Sequence, residues 1–298
     1  MSVEAETLEA RRTQTRELVA VIALTGTILI VEVVGGLLSG SLALISDAGH
    51  VLTDLLALVL SLMAARLASL PATPEKTYGY HRLEILTALA NGALLVLISA
   101  AVLYKSFQRF ATPLPVESRL MTGVALAGLL INLLALRILS RAHRSLNIRG
   151  ARMHIVGDAL SSVGVLAGGI VIGVTGWYRL DPILAGIIAL VIVIGAVRLV
   201  REAADVLLEA TPSGIGLDQV SAAIGTVPGV VEVHDLHIWS ITTGLPALSG
   251  HVRLDGAPPG SGDDMLNRIK ETVRDRFGIV HTTIQIESRG YEELGDVH

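Results

Sequence analysis

The sequence predicts an all-α bundle of six transmembrane helices followed by a small α+β domain. Three observations carry that expectation. Six apolar runs occupy roughly 17–38, 42–66, 83–107, 119–140, 152–174 and 181–202, and a bilayer-crossing helix needs about 20 such residues. The charge balance then reverses: residues 1–204 hold 17 basic and 13 acidic side chains, residues 205–298 only 6 basic and 14 acidic. Beyond the break, long apolar runs give way to alternation of period two in Val231-Glu-Val-His-Asp-Leu-His-Ile238, the pattern of a half-buried strand. A 51% hydrophobic content and a mean hydropathy of +0.63 are too apolar for an ordinary soluble domain.

Taken in order, residues 1–16 form a polar N-terminal segment in which Glu4, Glu6 and Glu9 are followed by Arg11, Arg12 and Arg16 next to the first span. No small-residue cleavage site follows, so no removed signal peptide is expected. Ser39-Gly40-Ser41 makes a tight hairpin between spans one and two. Pro71 and Pro74 mark the second link, and Pro113 and Pro115 the third. Gly176 and Asp181-Pro182 mark the fifth, where proline suits a first helical turn. The spanning domain therefore covers 17–204. Residues 205–216, with Thr211-Pro-Ser-Gly214, are a linker, 217–290 a second domain and 291–298 a tail. Thirteen basic residues fall on the even-numbered links and the termini. Lys105, Arg109, Arg119 and Arg179 fall on the other side. The basic excess marks the cytoplasmic side, so both termini and the acidic domain are expected there. Within that domain the pattern reads helix (217–226), strand (230–240), strand (247–254), helix (263–277), strand (280–287). The order is that of helices on one face of a three-stranded sheet.

The chemistry is concentrated in two copies of one spacing, His50-x-x-x-Asp54 and His154-x-x-x-Asp158. A four-residue step puts both side chains on one helix face. An aspartate at mid-span costs roughly 2.5–3.5 kcal/mol on insertion scales. A chain that accepts this twice is expected to bring the pairs together. Two imidazoles and two carboxylates then make a tetrahedral-capable site in which the carboxylates offset a divalent charge. Nitrogen donors favour zinc-like metals over calcium or magnesium. The plainer alternative is two self-satisfied helix-packing pairs. Asp47 shares the face of His50 and is expected either to orient that ring, to carry a proton, or to be structural. Small residues around these positions (Ala48, Gly49, Gly157, Ala159, Gly164), with Gly35-Gly36 and Gly168-Gly169, allow close helix approach. Glu32, Asn91 and Asn132 are further polar groups inside spans, either lining a route or packing.

With no cysteine, disulfides and thiolate sites are excluded. No His-Glu-x-x-His and no Gly-x-x-x-x-Gly-Lys-Ser/Thr occur, which argues against a metalloprotease, an enzyme generally, or a nucleotide-driven pump. The acidic second domain argues against nucleic acid as a partner.

Ser41-Leu-Ala-Leu-Ile-Ser-Asp-Ala-Gly-His50-Val-Leu-Thr-Asp54 and Met153-His154-Ile-Val-Gly-Asp158-Ala-Leu-Ser-Ser-Val-Gly resemble the second-span and fifth-span motifs of the cation diffusion facilitator family. Tyr78-Gly-Tyr-His-Arg82-Leu-Glu84, Asp181-Pro182 and His234-Asp-Leu-His-Ile-Trp239 match as well. The resemblance covers nearly the whole chain. It implies a homodimeric secondary transporter with a ferredoxin-like, metallochaperone-like cytoplasmic domain, exporting a divalent metal, usually Zn²⁺, in exchange for protons. His50, Asp54, His154 and Asp158 would be the transport site, and two His with two Asp resembles zinc-preferring members. The expected setting is the lipid bilayer of a prokaryotic cell membrane. Alternatives are a metal-gated channel, or a carrier preferring Cd²⁺, Co²⁺, Fe²⁺ or Mn²⁺. A second site found in the link between spans two and three of some members falls here on Thr73, Lys76 and Tyr80, which are poor ligands, and is expected to be absent. His81 and Arg82 are expected to be structural. The cytoplasmic-domain site of relatives corresponds to His234, His251, His281 and Glu287, with Gln285 nearby. His237 is expected to face away unless a bulge intervenes. His143 and His298 are expected to be solvated and uninformative.

Overall fold

A computed structural model describes residues 3–68, 70–141, 146–255, 262–289 and 291. The chain divides into two compact units. One comprises 1–60 and 90–199, the other 61–89 and 200–298. The N-terminal side chains, His143, His298 and most of the tail lie outside the described residues.

Six long helices follow one another: α1 (Val3–Ser39), α2 (Leu42–Ala68), α3 (Arg82–Ala111), α4 (Ser118–Arg141), α5 (Leu146–Thr175) and α6 (Leu180–Leu207). Each contains a stretch long and apolar enough to cross a membrane, beginning with Val21–Ser39 in α1 and ending with Leu180–Leu207 in α6. The hairpin between α1 and α2 turns at Gly40, whose φ of 70° is left-handed, a conformation that glycine adopts without steric cost.

In the first unit, Leu42, Leu44, Val102, Met121, Val124, Val165 and Ile172 form a shared core. Two glycine steps permit it. A Cβ at Gly35 would lie 2.4 Å from Cγ2 of Val124, and one at Gly169 would lie 2.6 Å from Oγ1 of Thr122. Glycine thus brings α1 and α5 onto α4. Gly157 and Gly164, beside Asp158, have nothing within 4 Å of a Cβ position. Among the described residues, then, no neighbouring helix closes on those two glycines, contrary to the expectation above.

The ends of α2 and α6 are tied by a buried carboxylate. Asp181, fully shielded, accepts bonds from Ser41 Oγ (2.6 Å), Leu42 N (2.8 Å) and Ala43 N (3.2 Å). It therefore satisfies the first N–H groups of α2, which have no partner inside the helix. Arg109 of α3 joins through Gly40 O at 2.5 Å and Asp181 Oδ2 at 3.9 Å.

The second unit holds α7 (Leu217–Gly225), β1 (Val230–Thr242), β2 (Leu245–Leu254), α8 (Gly262–Phe277) and β3 (His281–Glu287). The strands lie in the order β1-β2-β3, with β1 and β2 antiparallel and β2 and β3 parallel. A parallel return needs a crossover, and α8 supplies it. Val220 and Ile224 of α7 and Met265, Ile269 and Val273 of α8 pack with Ile238, Leu248 and Val252 of the sheet. The three-stranded α+β arrangement expected from the sequence is the one observed.

The β1–β2 register slips between His234 and His237, where Asp235 has a φ of 46°. This β-bulge presses Leu236 onto β2: a Cβ at position 250 would meet Leu236 Cδ1 at 2.8 Å. Gly250 is the residue that admits it.

Candidate functional site

Both His-x-x-x-Asp pairs belong to the first unit, and α2 and α5 bring them together. His50 Nε2 lies 3.4 Å from Asp54 Oδ2 and 3.9 Å from Asp158 Oδ1. His154 Nε2 lies 3.3 Å from Asp54 Oδ2 and 3.6 Å from Asp158 Oδ2. The two rings meet edge to face, with centroids 5.7 Å apart. A tetrahedral ion bound at about 2.0–2.1 Å has donor–donor edges of about 3.3–3.4 Å. Asp54 Oδ2 stands at that edge from both imidazoles, at 3.4 and 3.3 Å, and these three donors form one compact group, while Asp158 approaches the two rings through different oxygens at 3.9 and 3.6 Å. The side chains are 14–44% exposed, so an ion can reach them. The self-satisfied alternative predicts imidazole–carboxylate contacts within each helix alone. Here each imidazole faces the carboxylates of both.

Asp47 does not orient His50. Its Oδ1 accepts a bond from Ser161 Oγ at 2.8 Å, and Nδ1 of His50 has no hydrogen-bond partner among the described residues. One turn of helix puts the two side chains on a common face, but the carboxylate points to α5. Asn132 bonds to Ser162 Oγ at 3.4 Å, a packing contact between α4 and α5.

The second unit gathers a different cluster. His234 Nε2 is 3.2 Å from Glu287 Oε2, and His251 Nδ1 is 3.0 Å from Glu287 Oε1. The imidazole centroids are 5.4 Å apart. Register explains the meeting: His234 is opposite His251, which pairs in turn with Gln285. Gln285 Nε2 donates to Glu287 Oε1 at 3.0 Å. Arg253 bonds to Glu232 and approaches Glu287 Oε2 at 3.8 Å, so the cluster already holds one cation.

His281 is not part of this cluster. It pairs with Ala247, four positions before Gln285 on β3, a distance of roughly 13 Å along a strand. Its ring packs against Tyr78 instead, at 5.6 Å. The bulge adds what the sequence pattern hid. It turns Asp235 to His237 Nε2 at 2.8 Å and toward His251 Nε2 at 3.7 Å. Neither Asp235 nor Arg253 was singled out from the sequence. The doubled polar step His234-Asp235 in an otherwise alternating run is the signal that could have found Asp235.

In the link between α2 and α3, Thr73 and Lys76 exchange backbone hydrogen bonds at 3.2 and 3.0 Å. The Lys76 ammonium lies 4.3 Å from the Tyr80 ring centre. Arg82 pairs with Glu209 at 2.7 Å, a structural role as expected.

Comparison with known proteins agrees with this architecture. Residues 18–208 match the family model described as the cation efflux transmembrane domain. Residues 212–289 match the cation efflux protein cytoplasmic domain. The metal cation efflux system protein CzcD of Cupriavidus metallidurans is 43% identical over 91% of this chain and 86% of its own length. A cadmium, cobalt and zinc/H(+)-K(+) antiporter of Bacillus subtilis is 39% identical over 92% of this chain and 89% of its own. The zinc transporter ZitB of Escherichia coli is 38% identical over 91% and 87%. Six spanning helices, a three-stranded cytoplasmic-type domain and family models that match from 18 to 289 lead to one conclusion: the chain belongs to the cation efflux family, as a multi-pass membrane transporter and not an enzyme.

Proposed function

We propose that this protein exports divalent metal, Zn²⁺ first, from the cytoplasm in exchange for protons, with His50, Asp54, His154 and Asp158 as the transport site. One observation carries the reading: two imidazoles from two helices each stand 3.3–3.9 Å from both aspartates, close to the donor–donor edge of about 3.3–3.4 Å in a tetrahedral zinc shell. Metal binds deprotonated imidazole and carboxylate, so loading releases protons. Protons arriving from the far side compete for the same lone pairs and drive release. The antiporter and zinc-transporter names of relatives support the same cycle.

The protein works as a homodimer, supported by the match of 212–289 to the family's cytoplasmic domain model. Both termini lie in the cytoplasm of a prokaryotic cell, supported by the excess of basic residues on the even-numbered links. Residues 17–204 form the transport domain, 205–216 the linker and 217–290 the metal-sensing and dimerisation domain. His234, His251 and Glu287 make its metal site, supported by donor atoms within 4.8 Å of one another. Metal there would displace Arg253 from Glu287.

The test is zinc flux in vesicles reconstituted with purified protein, with internal pH followed in parallel. Zinc movement coupled to opposite proton movement is expected, and its loss in Asp158→Ala. Zinc movement with no proton counterflow would indicate a channel.

A further inference from the structure

A groove runs along the outside of the first unit, between the end of α3 and the start of α6. Leu103, Phe107 and Phe110 of α3 and Ile183, Ile187 and Leu190 of α6 line it, and its volume is about 300 Å³. Ser106 and Gly186 meet at its floor: a Cβ at Gly186 would lie 3.7 Å from Cβ of Ser106. Phe107 is 75% exposed, and Ile187 and Leu190 are exposed beside it. Both helices are long and apolar enough to cross a membrane, so the groove opens to lipid and not to water. The step from Leu103 to Phe110 rises roughly 11 Å along the helix. That is most of the ~15 Å depth of one hydrocarbon leaflet.

One end of the groove carries a cation. Arg179 Cζ lies 5.7 Å from the centre of the Phe110 ring, a contact that holds the guanidinium over the groove mouth. No carboxylate pairs with Arg179 among the described residues. Arg109, the residue before Phe110, is by contrast committed to Gly40 O and Asp181. Trp177 and Tyr178 immediately precede Arg179 and are exposed, and such rings settle at the level of lipid headgroups. The cation therefore stands at phosphate depth, where an apolar slot begins its descent into the hydrocarbon. The planar guanidinium fork matches the oxygens of a phosphate.

We propose that the α3–α6 groove binds one anionic phospholipid, its acyl chain lying along the groove and its phosphate on Arg179. The apolar walls select a hydrocarbon chain, and the arginine selects the charge. A zwitterionic headgroup brings its own cation to the phosphate and so gains less from Arg179. A second copy of this chain seated in the groove would cover the same walls, but it would take the Arg179 charge out of water, at a desolvation cost. A phosphate supplies the counter-charge that the chain itself withholds. The site is independent of the metal-transport reading, since it requires only that α3 and α6 span a bilayer.

The test is native mass spectrometry of the full-length protein, purified in detergent, stripped of lipid and offered phosphatidylglycerol or phosphatidylcholine with matched acyl chains. The wild type is expected to prefer phosphatidylglycerol by about fivefold, the weight of one basic residue at an anionic lipid surface. Arg179→Gln should erase the preference. Gly186→Leu, whose new side chain fills the groove, should reduce retention of both lipids. Phe107→Ala, which strips one wall, is the substitute where Gly186→Leu does not fold. Arg198, exposed toward the other end of α6, is the control, and Arg198→Gln should change nothing. Equal retention of the two lipids by the wild type overturns the proposal. So does a loss in Arg198→Gln equal to that in Arg179→Gln, which would mean general attraction between charges. A Gly186→Leu protein that turns monomeric with lipid retention unchanged assigns the groove to a second copy, and overturns it too.

Discussion

Asp54 is the residue on which the membrane site converges, because its Oδ2 faces both imidazoles at 3.4 and 3.3 Å. Outer partners of metal ligands already contribute 10–100-fold to affinity. Asp54→Asn is therefore expected to weaken zinc binding by more than about 100-fold, read by isothermal titration of the detergent-purified protein. The cytoplasmic cluster allows a sharper contrast. His251→Ala removes a side chain 3.0 Å from Glu287 and should lower the metal affinity of that domain by about tenfold or more. His281→Ala removes a ring that packs against Tyr78 and should leave that affinity unchanged. Equal losses in the two variants would contradict the register that separates them. Both histidines were equally eligible in the sequence, because the side-chain alternation of β3 is legible there and its alignment against β2 is not.

At the scale of elements, two devices decide how the helices and strands meet. Asp181 caps α2 from the start of α6, satisfying Ser41 Oγ and the N–H groups of Leu42 and Ala43. Asp181→Ala strands these buried donors, at about 1–3 kcal/mol for each group left unsatisfied. A lower thermal midpoint in detergent is expected, with the wild-type value restored more fully by Glu than by Leu. The motif Asp181-Pro182 was visible as a helix start. That its carboxylate caps a different helix was not, since a cap is ordinarily local and this one spans 139 positions to Leu42. The bulge at Asp235 is the counterpart in the sheet. Period-two reading placed His237 on the face opposite His234. The register slip turns Asp235 toward both His237 and His251, and Gly250 accommodates it.

For the whole molecule, metal loading and proton release are one equilibrium, because both draw on the same lone pairs. Acidification adds protons to the metal-free state and so weakens zinc binding. A drop from pH 7.5 to 5.5 should lower the zinc affinity of the full-length protein by about tenfold or more, measured by competition with a zinc chelator. A pH-independent affinity would break the exchange mechanism. The sequence by itself determined the six spans, the α+β second domain, their order and the two His–Asp pairs. Hydropathy, charge balance and helical spacing are properties of neighbouring residues, and so are written locally. The tertiary structure decided what those residues meet: Asp54 shared between two imidazoles, Asp47 turned to Ser161, Asp181 capping a distant helix, and His281 excluded from the cytoplasmic cluster. Each of these is a contact between elements far apart in the chain. The angle and register that create such contacts follow from how whole helices and strands pack, which no single stretch of residues encodes.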